Sequence, residues 1–323
     1  MLEALLSSPW LLLAGFLGAS VLMLGCLNHM ERQGFEGTVL GTLVIPYCSG
    51  APNVFFVIAL ARRHGPGEEV VVNALVNNIT NLTLLIGLPA LIWGLHIIPR
   101  GKVAKKAARG FRLSRLSLAL TLVALLVFTG ITWALGMDGE LSVGDGLTLI
   151  ALFLFWQLVE VFNVLRTNVE TGRKFGSGLV LDFIGILVGA ALMFVCIDGL
   201  TAWISQIETG FISYRNVGWL SGWLTVLPNA VPAFYYAAIK RADIVYSSQV
   251  GDGHICIPLC IGIGAVLTPI PVSLFFSVGM GLTAALGFLH LGVVTITGSA
   301  RRVIGALLLV IYAIFVYKGL FAG

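Results

Sequence analysis

The sequence predicts an all-α transmembrane protein of about ten helices, arranged as two five-helix repeats of inverted topology. Three observations carry that expectation. Of the 323 residues 58% are hydrophobic and 11% charged, with a mean hydropathy of +0.99, which leaves too little polar surface for a water-soluble globule of this size. Apolar stretches long enough to cross a bilayer recur along the whole chain. A polar pattern within them occurs twice: Asn73, Asn77 and Asn81 repeat every four residues, and the first three members of a second stripe, Ser248, Asp252, Cys256 and Cys260, lie 175 positions further on.

A span needs about 20 apolar residues. Candidates fall at 5–28, 36–61, 70–98, 114–135, 147–165, 179–204, 212–238, 246–271, 273–296 and 302–321. The first begins within Met1 to Trp10, which lacks the basic region of a secretory signal, so it reads as a helix and not as a cleaved leader. The second is broken by Pro46, Cys48, Ser49, Pro52 and Asn53, and the third carries the asparagine stripe with Asn78, Thr80 and Thr83 beside it. The fourth follows the basic connection 99–117, and the fifth contains Gln157 and Glu160. The sixth echoes the first, since Leu22-Met23-x-x-Cys26-x-Asn28 returns as Leu192-Met193-x-x-Cys196-x-Asp198 at an offset of 170. In the seventh, Pro228-Asn229 repeats Pro52-Asn53 at an offset of 176; the eighth holds the second stripe, and the last two complete the copy. The repeats are therefore 1–168, with polar motifs at 41–53 and 72–81, and 169–323, with polar motifs at 217–229 and 247–256. Five spans per copy is an odd number, so the second copy enters the membrane in the opposite sense.

Charge sets the orientation. The connections after helices one, three, five, seven and nine hold 15 of the 19 Lys and Arg residues, which by the positive-inside rule places both termini outside, in the inner membrane of a bacterial or archaeal cell. The same rule accounts for the net charge of +4 and leaves no basic, aromatic-interleaved face for nucleic acid. The five cysteines lie in or beside apolar spans with no C-x-x-C pair, so neither a disulfide framework nor a zinc ribbon is expected. No set of nucleophile, base and orienting residue is readable, and no phosphate loop. The expectation is a transporter and not an enzyme, without cofactor, embedded in a lipid bilayer, with its oligomeric state left open.

On these motifs the chain resembles the calcium/cation antiporter superfamily, whose members carry the sodium/calcium exchanger membrane region. That family has two inverted five-helix halves, each with a motif G-L-T-x-x-A-x-G-T-S-x-P-E followed by G-N-x-x-G-S-N-x-x-N or a D-ending variant. Gly41 to Asn53 covers the first with the family's length and Val72 to Asn81 the second; Val217 to Asn229 and Ser247 to Cys256 take their places in the other half. The departures concern chemistry. Where the family has a glutamate after each proline, this chain has Asn53 and Asn229, and the serine and terminal Asn/Asp of the following helix become Asn77 and Asn81, then Asp252 and Cys256. Calcium wants six to eight oxygens and enough carboxylate charge to offset its dehydration, so the resemblance implies the architecture more strongly than that substrate.

The candidate ion-binding residues are accordingly Asn53, Asn77, Asn81, Asn229, Asp252, Cys256, Asn73, Ser49, Thr225 and Ser248. A polar stripe at membrane depth must face protein or a watery cavity, and an intramembrane carboxylate is by default a substrate or proton site. More modest roles stand beside this one: the asparagines as interhelical bonds, Asn53 and Asn229 as partners for the carbonyls their prolines leave free, and Gly251 and Gly253 as markers of an unwound turn at Asp252. The expected function is secondary cation antiport, coupled to Na⁺ or H⁺, with altered ion selectivity. The alternatives are a transporter of a soft metal, for which His254, Cys256 and Cys260 supply ligand types, or of a small neutral solute on the same fold, and a non-transporting membrane scaffold or regulator.

Overall fold

The computed structural model describes residues 8–32, 45–97, 105–171 and 178–321, with side chains for 8–30, 50–97, 115–162, 178 and 180–320. Ten helices lie within them: α1 Pro9–Arg32, α2 Ile45–Ala61, α3 Glu68–Trp93, α4 Lys105–Leu135, α5 Val143–Thr171, α6 Gly178–Ile204, α7 Val217–Ala238, α8 Ala242–Leu267, α9 Leu274–Thr297 and α10 Arg302–Phe321. Eight are long and apolar enough to cross a membrane. The remaining two, α2 and α7, carry the Pro-Asn pairs at Pro52 and Pro228. Outward-facing Val180, Leu181, Phe183, Ile184 and Leu187 on α6, with similar rows on α1, α4, α5 and α10, leave an apolar exterior that only lipid solvates. Within the spans, Ser20, Thr129, Thr132, Thr201 and Thr283 return their hydroxyl protons to the carbonyl four residues back, which satisfies them without water.

The helix positions follow the apolar stretches, with instructive differences at the ends. Apolar content puts the start of the fourth helix at 114, but α4 begins at Lys105, because Lys, Ala and Arg are good helix formers and extend the helix past its apolar part. The expected unwinding beside Asp252 is not there. Helix α8 stays α-helical through Ile255 and widens to a π turn at Cys256–Cys260. Pro258 sits inside that turn; in a regular helix its ring would strike the carbonyl of residue 254 and it has no N–H to donate.

The inverted repeat is visible in pairs of contacts. Four short strands, β1 Leu95–His96, β2 Glu140–Leu141, β3 Ile270–Pro271 and β4 Ser299–Ala300, pair antiparallel as β1 with β4 and β2 with β3. The first pair joins the α3–α4 and α9–α10 connections on one face of the bundle, and the second joins α4–α5 with α8–α9 on the other. Alternating crossings demand that arrangement. Helix packing repeats it: a Cβ on Gly305 of α10 would stand 2.6 Å from the Gly87 carbonyl of α3, and one on Gly146 of α5 would stand 2.6 Å from the Gly262 carbonyl of α8. The echo between α1 and α6 forms their shared seam, where Cys196 fills the space beside Gly15 and Cys26 the space beside Gly185. Even the corners match, since His64 and Lys240, the two non-glycine residues with positive φ among those described, turn the α2–α3 and α7–α8 connections. Helices α3 and α8 are the centre, with 78% of their most apolar windows buried against 17% to 39% for the other six spans.

Candidate functional site

The centre is built first from α3 and α7. Asn73 donates to Ser221 Oγ at 3.0 Å, Asn77 to Thr225 Oγ1 at 3.0 Å, and Asn229 to Asn81 Oδ1 at 3.4 Å. Each pair is 148 residues apart, and a constant offset means that the helices run parallel and in register, as the third and seventh of an alternating bundle must. Ser221, Thr225 and Asn229 are thus a third stripe of four-residue spacing, opposite the first. Glycine makes the seam narrow enough: a Cβ on Gly222 would stand 2.8 Å from Val76 Cβ and 3.0 Å from the Asn73 carbonyl.

Helix α8 closes the site. Asp252, fully buried, receives N–H groups on Oδ2 from Asn81 at 2.8 Å and Asn229 at 3.1 Å, and Asn81 also donates to Asn77 Oδ1 at 2.9 Å. One turn on, the Cys256 thiol lies 3.7 Å from Asn77 Oδ1 and 3.8 Å from Asp252 Oδ2. These contacts obey the repeat: exchanging Asn77 with Asp252 and Asn81 with Cys256 turns the Asn81 pair of bonds into the Cys256 pair. The exchange replaces an amide with a thiol and the bonds lengthen accordingly. Within this network of described side chains Asp252 carries the only formal charge, and Gly253 behind it leaves room for the Asn78 side chain, whose Oδ1 would be 2.6 Å from an added Cβ.

Of the ten sequence candidates, the structure joins Asn77, Asn81, Asn229, Asp252, Cys256 and Thr225 in one network; Asn73 makes a separate pair with Ser221 one turn away on the same seam. Ser248 turns aside: its hydroxyl donates to the Val245 carbonyl and accepts from Gln249. The side chain of Ser49 lies outside the described residues. Asn53 is fully buried, and among the described residues neither its Nδ2 nor its Oδ1 has a hydrogen-bond partner. Asn53 and Asn229 therefore do not serve as substitutes for helix donors; one makes no bond, and the side-chain bonds of the other go to Asn81 and Asp252. Nor does His254 join Cys256 and Cys260 as a ligand set, because its Nε2 is bonded to the Thr121 carbonyl at 2.8 Å between the rings of Phe128 and Trp156. Among the described residues no cluster of three or more His, Cys, Asp and Glu is arranged to hold a metal.

Three features escaped the sequence reading. Gln249, fully buried, donates to the Asn229 carbonyl at 3.4 Å and steadies that residue from α8. Glu69 accepts from the Gly218 N–H at 2.8 Å and satisfies a donor that the first turn of α7 leaves free; its position four residues before Asn73 was the available signal. Asp182 and Asp198 pair with His29 at 2.8 Å and with Arg63 at 2.6 Å, binding α6 to α1 and to the α2–α3 corner.

Comparison with known proteins agrees with this architecture. The chain matches the family description "Sodium/calcium exchanger protein" over residues 7–162 and 181–319. Inner membrane protein YrbG of Escherichia coli (strain K12) is 23% identical over 253 residues, covering 73% of this chain and 71% of that protein. Two structures of the sodium-calcium exchanger NCX_Mj, one soaked with Na⁺ and Ca²⁺ and one with Na⁺ and Sr²⁺, superpose with TM-scores of 0.66 and 0.67 at 21% and 20% identity. Each alignment covers 96% of this chain, and 95% and 96% of the respective exchanger chain. At that identity the likeness establishes the fold and leaves the ion to the site residues.

Proposed function

The chain belongs to the sodium/calcium exchanger protein family, a divergent member without the two motif glutamates, and from that premise we propose that it is a secondary antiporter of inorganic cations with selectivity moved away from calcium. The observation that carries the reading is a fully buried carboxylate, Asp252, held by the amides of Asn81 and Asn229 at the junction of α3, α7 and α8. A buried charge is retained at such depth when function needs it. One carboxylate among neutral donors matches a single positive charge and leaves a divalent ion half compensated.

The chemistry follows from the donors. In the structure Asn81 and Asn229 present N–H groups to Asp252, so a cation arriving there displaces the Asn81 contact, and that amide rotates to offer its oxygen. Asp252 supplies the charge, Asn77 and Asn81 supply oxygens, and Thr225 holds Asn77 in place. A proton can occupy the same carboxylate, so proton and cation compete for one position. That competition is the coupling of an exchanger: one species leaves as the other binds. In the inverted-repeat architecture the site opens to either side as the two repeats rock against each other. We place the chain in the inner membrane with both termini outside, on the 15 of 19 basic residues in the opposite connections and on the inner-membrane relative. The Cys256 thiol beside Asp252 favours, as a second reading, transport of a softer cation.

Reconstituted protein in liposomes, challenged in turn with gradients of Na⁺, K⁺, Ca²⁺, Mn²⁺ and H⁺, tests the proposal. Exchange of a monovalent cation with little calcium flux is the expected result. Robust calcium exchange would overturn the selectivity argument, and absence of flux for every ion would overturn antiport.

A further inference from the structure

The repeat relates Asn53 to Asn229, yet the structure treats them differently. Asn229 is held from three sides: its amide N–H groups reach Asp252 and Asn81, and its carbonyl accepts from Gln249. Asn53 is as deeply buried and, among the described residues, has no hydrogen bond at either end of its amide. The repeat supplies the cause. Asn229 finds its acceptors on the residue pair Asn81 and Asp252; the pair related to these by the repeat is Cys256 and Asn77. Helix α2, which carries Asn53, packs on the π turn that begins at Cys256. At that position a thiol stands in place of the amide, and its sulfur is too poor an acceptor to replace a carbonyl oxygen. Asn77 Oδ1 is already engaged by two donors, the Asn81 amide and the Cys256 thiol. Among the described residues Asn53 is left without a hydrogen-bond partner.

An orphaned buried amide is costly, and replacing it by an apolar group of similar shape removes that cost. Such a residue persists where something other than protein completes it. We infer that the two asparagines have divided the work of the site: Asn229 is a positioning residue that orients Asp252, and Asn53 is the open ligand, whose oxygen meets the transported cation directly. The cation then sits off the pseudo-twofold axis, towards α2 and Cys256, and not midway between the repeats. This deepens the antiporter reading and rests on it for the identity of the ligand, though the division of labour itself is a statement about packing.

The test compares Asn53→Leu with Asn229→Leu in the purified full-length protein, with Asn53→Ala as a second variant at the same position. Thermal unfolding is followed with and without added Na⁺, and flux is measured in proteoliposomes. Asn53→Leu is expected to unfold at a higher temperature than wild type, to lose the stabilisation by Na⁺, and to need about tenfold more cation for half-maximal flux or to carry none. Asn229→Leu is expected to unfold at a lower temperature, because it leaves Asp252 and Asn81 short of a partner. Asn53 variants destabilised as much as Asn229→Leu, or stabilised by Na⁺ as wild type is, would overturn the assignment. Opposite signs of the two stability changes in a protein that carries no cation at all would support the division of roles and sink the antiporter reading instead.

Discussion

The substitution Gly222→Ala probes the parallel seam on which the site is built. A methyl group there would stand 2.8 Å from Val76 Cβ, 2.9 Å from Val76 Cγ1 and 3.0 Å from the Asn73 carbonyl, whereas carbon atoms rest at about 3.5–4.0 Å. Relief therefore requires α7 to withdraw from α3 by about 1 Å. The bonds from Asn73 to Ser221 and from Asn77 to Thr225, both 3.0 Å, run across the same gap, and lengthened by that amount they pass beyond hydrogen-bonding distance. Overpacking of this kind costs about 1–3 kcal/mol, and each lost interhelical bond adds about 0.6 kcal/mol. The expected sum is about 2–4 kcal/mol, with impaired flux because Thr225 no longer holds Asn77. Thermal unfolding in detergent and proteoliposome flux read the two effects. Gly281→Ala is the control, since a methyl group at Gly281 meets nothing within 4 Å. If Gly222→Ala were as stable and as active as Gly281→Ala, the close α3–α7 contact and its role in the site would both be wrong.

Two further perturbations address charge. Restoring the motif glutamates in the double variant Asn53→Glu, Asn229→Glu should create calcium binding, because two unit charges 4 Å apart interact by ~4 kcal/mol at an effective dielectric of 20; after desolvation at least about tenfold tighter binding in equilibrium dialysis is expected. Calcium affinity equal to wild type would contradict the charge argument. The bidentate pair of Arg63 with Asp198, at 2.6 and 3.0 Å and about a quarter exposed, should give a coupling of about 0.5–1 kcal/mol in a double-mutant cycle of unfolding. That coupling should shrink in high salt, and a coupling of zero at low salt would mean that α6 is not fastened to the α2–α3 corner.

The architecture was legible because lipid imposes a long apolar signal on every crossing, and the duplication was legible because the offset of 175 between the two stripes survives in the contacts of Asn81 and Cys256. The polar stripe on α7 was harder to see. Ser221 and Thr225 lie among glycines and tryptophans, and a hydroxyl residue in a helix can satisfy itself on its own backbone; only the Asn73 and Asn77 amides across the seam give it meaning. Residue type alone put His254 beside the cysteines in the soft-metal alternative; it shares a helix with Asp252 but points towards α4. The role of Glu69 was hidden because its partner, the N–H of Gly218, lies 149 residues away and is a backbone atom with no letter in the sequence. The orphaned amide of Asn53 could not be read at all, since sequence shows which groups are polar and not which of them are left without a bond.

The central claim is that Asp252 binds the exchanged cation and the competing proton. The measurement is coupled cation flux as a function of pH in proteoliposomes carrying Asp252→Asn, with unfolding temperature and membrane insertion recorded on the same preparations. Neutralising the carboxylate removes the only charge of the network at little cost to insertion, because an amide is tolerated in the membrane more readily than an ionised acid. The account predicts a folded, inserted protein without coupled flux and without pH dependence. A correctly folded Asp252→Asn protein whose flux and pH profile match wild type would contradict it.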